Sequence, residues 1–128
     1  MIKNSSSPVN FWRWFDPRHR SISTWGFILN RITALGLTLY LFIHLIVLGK
    51  LAQGPEAYDS FLEFAHTPLV MVGELLVIAA GLIHGLNGIR IALNSFGIGV
   101  VRQKQIFAGL MAAAAVGTVV FAVKMFGA

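Results

Sequence analysis

Apolar residues fall into three long stretches separated by short polar segments. The first covers residues 32–49, where the polar side chains are Thr33, Thr38, Tyr40 and His44. Arg31 stands immediately before it, and the pattern places the start of the helix near Thr24, giving a helix over about 24–51. The second covers residues 68–93 and is interrupted by Glu74, His84, Asn87 and Arg90. Thr67-Pro68 is a start signal, with Thr at the cap and Pro at the first helical position, and predicts a helix over 68–95. The third covers residues 106–123 without a charge, and Lys124 then reaches for the interface, so a helix is expected over 104–126. Each stretch is near the roughly 20 residues that cross a bilayer. Between the first two, Tyr58, Phe61, Leu62 and Ala65 recur at helical spacing and predict a short interfacial helix.

Composition agrees. The mean hydropathy is +0.74, and only 12% of the 128 residues are charged, too few to coat a soluble globule of this size. The fold class expected is therefore all-α: an integral membrane protein of three transmembrane helices. The first stretch starts too late and runs too long for the apolar region of a signal peptide. Residues 1–21 read as a cytoplasmic N-terminal segment and 22–128 as the transmembrane domain. Within the segment, Phe11-Trp12-Arg13-Trp14-Phe15 interleaves aromatics with a cation, which suits a bilayer interface.

Charge sets the expected topology. Lys3, Arg13, Arg18 and Arg20 precede the first helix, and Arg102 and Lys104 follow the second, whereas the first loop holds Lys50 among Glu56, Asp59 and Glu63. The positive-inside bias puts the N-terminus and second loop in the cytoplasm and the C-terminus outward. The net charge of +5 is thus a topology signal with no basic folded surface for nucleic acid. With no cysteine, the chain holds no disulfide and no thiolate-ligated cluster of its own.

Candidate chemistry centres on His44 and His84, ionisable groups within membrane spans and functional candidates for that reason. Gly81 and Gly88 share a helical face with His84, and Gly85 flanks it, leaving room either for a flat macrocycle or for close helix packing. His44 shares a side with Tyr40 and Thr33, interrupted by Leu37, while Leu41 and Leu48 crowd it. Each histidine reads either as a ligand or as a hydrogen-bonding group between helices. At about 1.5 Å per residue the two differ in depth by roughly 10 Å, too far to ligate one haem together, so a second ligand is expected from a partner chain. Glu74 reads as a proton relay or as a carboxylate reaching the interface. Gly109, Ala113 and Gly117 form a flat face on the third helix for another helix of this chain or of a partner. His19 and His66 read as solvated.

The segment Ile28-Leu29-Asn30-Arg31-Ile32-Thr33-Ala34-Leu35-Gly36, followed by His44, and the element His84-Gly85-Leu86-Asn87-Gly88-Ile89-Arg90 resemble the cytochrome b membrane-anchor subunit of succinate dehydrogenase and fumarate reductase. The similarity covers roughly residues 20–96. It implies half of a six-helix bundle, completed by a second three-helix anchor subunit, in the cytoplasmic membrane of a prokaryote. An iron–sulfur subunit and a flavoprotein carrying FAD would sit on the cytoplasmic side and oxidise succinate. In this resemblance His84 ligates haem b and the partner anchor supplies the other ligand. His44 would ligate an outer haem in the two-haem form. Arg31, with Ser23 and Trp25, falls at the quinone site, and Arg31, Arg90 and Gly88 fall beside the haem and its propionates. Three positions depart from the family pattern: Asn30 where His is common, Phe27 where Ser is common, and Ser95 where Asp is common. The rival readings are a haem-free structural anchor and a small proton-conducting subunit using His44, Glu74 and His84.

Overall fold

In a computed structural model, residues 21–127 are described. The aromatic run at residues 11–15 and His19 lie outside them, as does the side chain of Ser23. Four α-helices follow in order: α1 (Ile22–Ala52), α2 (Pro55–Ala65), α3 (Pro68–Ser95) and α4 (Gln103–Phe126), with a short 3-10 turn (Val100–Arg102) leading into α4. No strand occurs among the described residues. Three segments are long and apolar enough to cross a membrane: Thr24–Ala52, Pro68–Ser95 and Val100–Phe126. At about 1.5 Å per residue the 28 residues of α3 reach roughly 42 Å, more than the ~30 Å hydrocarbon core, so the helix tilts or projects beyond it.

The ends of these helices follow from local sequence. Ser21 caps α1, its Oγ accepting from the Thr24 amide at 3.4 Å. Gly54, at φ +116°, turns the chain into α2 with Pro55 at the first position. Thr67 takes the extended backbone of an N-cap before Pro68, but its hydroxyl donates back to the Phe64 carbonyl at 2.7 Å. It therefore closes α2 more than it opens α3. The end of α3 is a Schellman turn: the Ile98 amide donates to the Leu93 carbonyl at 2.9 Å and the Gly97 amide to the Asn94 carbonyl at 3.0 Å. Gly97 sits at φ +76°, the left-handed conformation this motif requires.

Helix α3 lies between α1 and α4, which touch each other little, and α2 bridges α1 to α3. Burial is inverted relative to a soluble bundle. Ala114 is the one buried apolar side chain among the described residues, while Thr33, Asn87 and Arg90 are buried polar ones. Large apolar side chains line the outside, among them Leu35, Leu39, Leu45, Leu69, Leu76 and Val119. In water this arrangement has no hydrophobic driving force; in lipid it is the expected one, with polar groups as interhelical glue. On α4 the small-residue face divides. Gly117 packs against Leu82 of α3, where a Cβ would press on the leucine methyl, whereas Gly109 has open space and Ala113 is exposed.

Candidate functional site between α1 and α3

The polar interior is a seam along the α1–α3 contact. On α3, His84, Asn87 and Arg90 recur every three residues and so share one side of the helix. On α1, Gly26 and Thr33 lie seven residues, close to two turns, apart. The helices run antiparallel, so Gly26 meets Asn87 and Arg90 while Asn30 and Thr33 meet His84.

At the Gly26 end, the Asn87 amide donates to the Gly26 carbonyl at 2.6 Å, and Arg90 Nε donates to Asn87 Oδ1 at 2.9 Å. The Arg90 guanidinium also lies over the Phe107 ring of α4, 5.2 Å from its centroid, a cation–π contact. Arg90 is 1% exposed, so it does not snorkel to the interface. It ties all three long helices together. Its Nη2 has no hydrogen-bond partner among the described residues.

At the His84 end, Nδ1 lies 3.1 Å from the Asn30 carbonyl and 3.2 Å from Thr33 Oγ1. The neighbours assign the proton. A carbonyl only accepts, and the single Thr33 proton points to the backbone carbonyls of its own helix, Leu29 at 2.7 Å and Asn30 at 3.1 Å. Nδ1 therefore carries the hydrogen and donates to both oxygens. Nε2 is left with its lone pair and no hydrogen-bond partner among the described residues. A ring held by Nδ1–H against a backbone carbonyl, with Nε2 bare, is the usual state of a metal-binding histidine. Around it, a Cβ built on Gly81, Gly85 or Gly88 meets nothing within 4 Å, so the chain fills none of the space these glycines leave. Donor set and clearance thus fit one axial ligand of a planar metal macrocycle. Among the described residues no cluster of three His, Asp or Glu forms a metal site within the chain.

The other candidates are spread apart. His44 is exposed near the far end of α1, eight residues before Ala52, its ring stacked on Tyr40 with centroids 5.4 Å apart. The Tyr40 hydroxyl lies 3.5 Å from His44 Nδ1. Thr33, on the same side of α1, is instead engaged with α3, because that side has an α3 neighbour at the level of Thr33 and is open at His44. Glu74 is exposed on α3. Arg31 is exposed beside Asn30, and Trp25 is half-buried in the first turn of α1. Sequence reasoning misses what Gly26, Asn87 and the Asn30 carbonyl contribute. The three-residue period His84-Asn87-Arg90 is the signal that could have found Asn87; a backbone carbonyl gives none.

Residues 12–123 match the sequence family described as succinate dehydrogenase/fumarate reductase transmembrane subunit. The succinate dehydrogenase hydrophobic membrane anchor subunit of Halobacterium salinarum is 31% identical over 77% of this chain and 75% of its own length. The succinate dehydrogenase 2 membrane subunit of Mycobacterium tuberculosis is 35% identical over 56% of this chain and 53% of its own. A fumarate reductase subunit of Vibrio cholerae is 34% identical over 45% of this chain and 46% of its own. The chain thus spans about half the length of the latter two and three quarters of the first.

Proposed function

Because this chain belongs to the succinate dehydrogenase/fumarate reductase transmembrane-subunit family, we propose that it carries electrons from an iron–sulfur partner to membrane quinone, with His84 as one axial ligand of a haem b. The observation that carries the haem assignment is the state of the His84 ring: Nδ1–H spent on the Asn30 carbonyl, Nε2 bare, and glycine clearance on either side. When bound, the haem supplies a one-electron relay. The second axial ligand would come from a partner three-helix anchor. Apolar side chains exposed on every long helix are compatible with such a bundle, and with lipid around it. Succinate or fumarate chemistry would belong to a flavoprotein subunit, joined through the iron–sulfur subunit at the cytoplasmic end of α1 and α3. In this reading the membrane is a prokaryotic cytoplasmic membrane, and the charge bias supports a cytoplasmic location for that end and for the N-terminus. The test is purification of the complex through this chain, with its subunits identified and its haem b measured by reduced-minus-oxidised spectrum. A complex with both catalytic partners and no haem b would leave a structural anchor and overturn the electron-transfer reading.

Arg31 is the quinone-side cation in this reading. Arg90 is enclosed by Gly26, Asn87 and Phe107, whereas Arg31 is exposed and stands one residue from the Asn30 carbonyl that holds His84. A guanidinium there stabilises negative charge developing on a reduced quinone oxygen or on a haem propionate. Arg31→Ala is expected to slow quinone reduction by about 100-fold, within the range for losing one such donor, while succinate oxidation by a soluble artificial acceptor is retained. Lys at this position restores little, because it lacks the planar pair of donors. Equal loss with both acceptors would show misassembly and remove the quinone role.

His44 is proposed as a ligand of a second haem: His84 is level with Thr33, eleven residues before His44, so the two differ in depth by roughly 16 Å, more than the rough 10 Å expected from sequence. Its exposure is what a ligand shared with a partner subunit requires, and the Tyr40 stack limits its rotation. Glu74 lies at a comparable depth on α3 and would serve proton transfer on the outer side. Haem counted per purified complex is expected to fall from two to one on His44→Ala. One haem in both proteins would leave His84 as the only haem ligand in the chain.

A further inference from the structure

We propose that Thr33 is a positioning residue for His84, setting the rotation of the imidazole and the basicity of its Nε2 through the hydroxyl oxygen that shares the Nδ1–H. This rests on the reading of His84 as an iron ligand.

Two other threonines within the long helices provide an internal comparison. Thr38 Oγ1 donates to the Ala34 carbonyl at 2.8 Å and Thr118 Oγ1 to the Ala114 carbonyl at 2.8 Å, the ordinary back-bond of a helical threonine, and neither hydrogen-bonds to another helix among the described residues. Thr33 makes the same back-bond, to Leu29 at 2.7 Å with Asn30 as a second carbonyl at 3.1 Å, and is in addition 7% exposed with its oxygen 3.2 Å from His84 Nδ1. The back-bond uses its only proton, so the oxygen faces the imidazole as a pure acceptor. The Asn30 carbonyl, 3.1 Å from the same nitrogen, is the second acceptor. Two oxygens from residues about one turn apart on α1, themselves 3.1 Å from each other, thus share one N–H. A single acceptor leaves the ring free to swing about the N–H···O direction; two fix its plane.

The electronic consequence follows. Each oxygen accepting from Nδ1–H pushes electron density towards Nε2 and makes it the stronger base. A more basic axial nitrogen favours ferric over ferrous iron, so loss of the Thr33 oxygen raises the haem potential. Thr33→Val keeps the β-branched shape and removes the oxygen. It is expected to retain haem and shift the ferrous-to-ferric ratio at fixed potential roughly three- to tenfold towards ferrous, about 30–60 mV at ~59 mV per decade. Thr33→Ser restores the oxygen and the wild-type potential. Thr38→Val, the same change at a threonine that makes only the back-bond, leaves the potential where it was.

The experiment is redox titration of the b-type absorbance in the purified complex for wild type and the three variants. An unchanged potential in Thr33→Val with haem retained overturns the proposal. So does equal perturbation by Thr33→Ser and Thr33→Val, including loss of haem from both, because the side chain would then matter for packing alone. Haem loss in Thr33→Val with full retention in Thr33→Ser supports it, since the oxygen is what differs. Absence of haem from the wild-type complex would overturn the parent reading of His84, a result distinct from an unshifted potential.

Discussion

His84→Ala is expected to remove one haem b from the purified complex, seen as loss of its share of the reduced-minus-oxidised spectrum and of extractable haem. The substitution deletes the bare Nε2, and among the described residues no other histidine lies on the α1–α3 seam to replace it. It also deletes the donor shared by the Asn30 carbonyl and Thr33, an interhelical link of about 0.6–2 kcal/mol in a membrane, so some loss of assembly accompanies it. Ligation and packing are separated by His84→Gln. The glutamine amide donates to the Asn30 carbonyl but is a poor iron ligand, so this variant is expected to assemble and still lack the haem. Full haem content in an assembled His84→Gln complex would show that the ring serves only to join helices.

The second large effect is expected at Gly26. A Cβ there runs into the Arg90 guanidinium, which is held at Nε by Asn87 and lies over the Phe107 ring, so those contacts must shift to admit it. Gly26→Leu must push α1 away from α3. It thereby breaks the Asn87–Gly26 hydrogen bond and uncovers a buried guanidinium near the C-terminal end of α3, within an apolar span where charge is costly. Together with about 1–3 kcal/mol for overpacking, this exceeds what a marginal assembly tolerates, and little intact complex is expected in the membrane. The diagnostic is coupling. Arg90→Ala clears the space, so Gly26→Ala should be strongly destabilising alone and much less so in the double variant, by thermal denaturation of the solubilised complex. Additive effects would show that Gly26 and Arg90 do not meet.

The three spans were legible because a bilayer imposes length and apolarity on each one, and both are visible in a single sequence. The start at Thr67-Pro68 was legible for the same local reason, although the Thr67 hydroxyl closes the helix before it. The family was legible in the Ile28–Gly36 and His84–Arg90 segments. Which α1 atoms face His84 was not, because the angle and register between two helices depend on packing that leaves no periodic trace. Thr33 illustrates the point. Its spacing to Tyr40 and His44 groups the three on one side of α1, yet its partner is His84, fifty-one residues away. From its position near the end of its apolar stretch alone, Arg90 suits an interfacial cation better, and only the close approach at Gly26 distinguishes a residue enclosed by helices from one reaching outward.

The pairing of α1 with α3 can also be regarded as a beam pinned at both ends. At one end the Asn87–Gly26 bond opposes sliding and Arg90 fills the gap beside it; at the other, the rigid rod of α2 spans from α1 to α3 in place of a slack loop. His84 and its two oxygen partners lie between the pins. A load applied to the exposed side of α1, by lipid thickness or by a docked subunit, is then carried by the pair as one body. The distance between Nδ1 and its acceptors, a few tenths of an ångström from being no hydrogen bond at all, is shielded from that load.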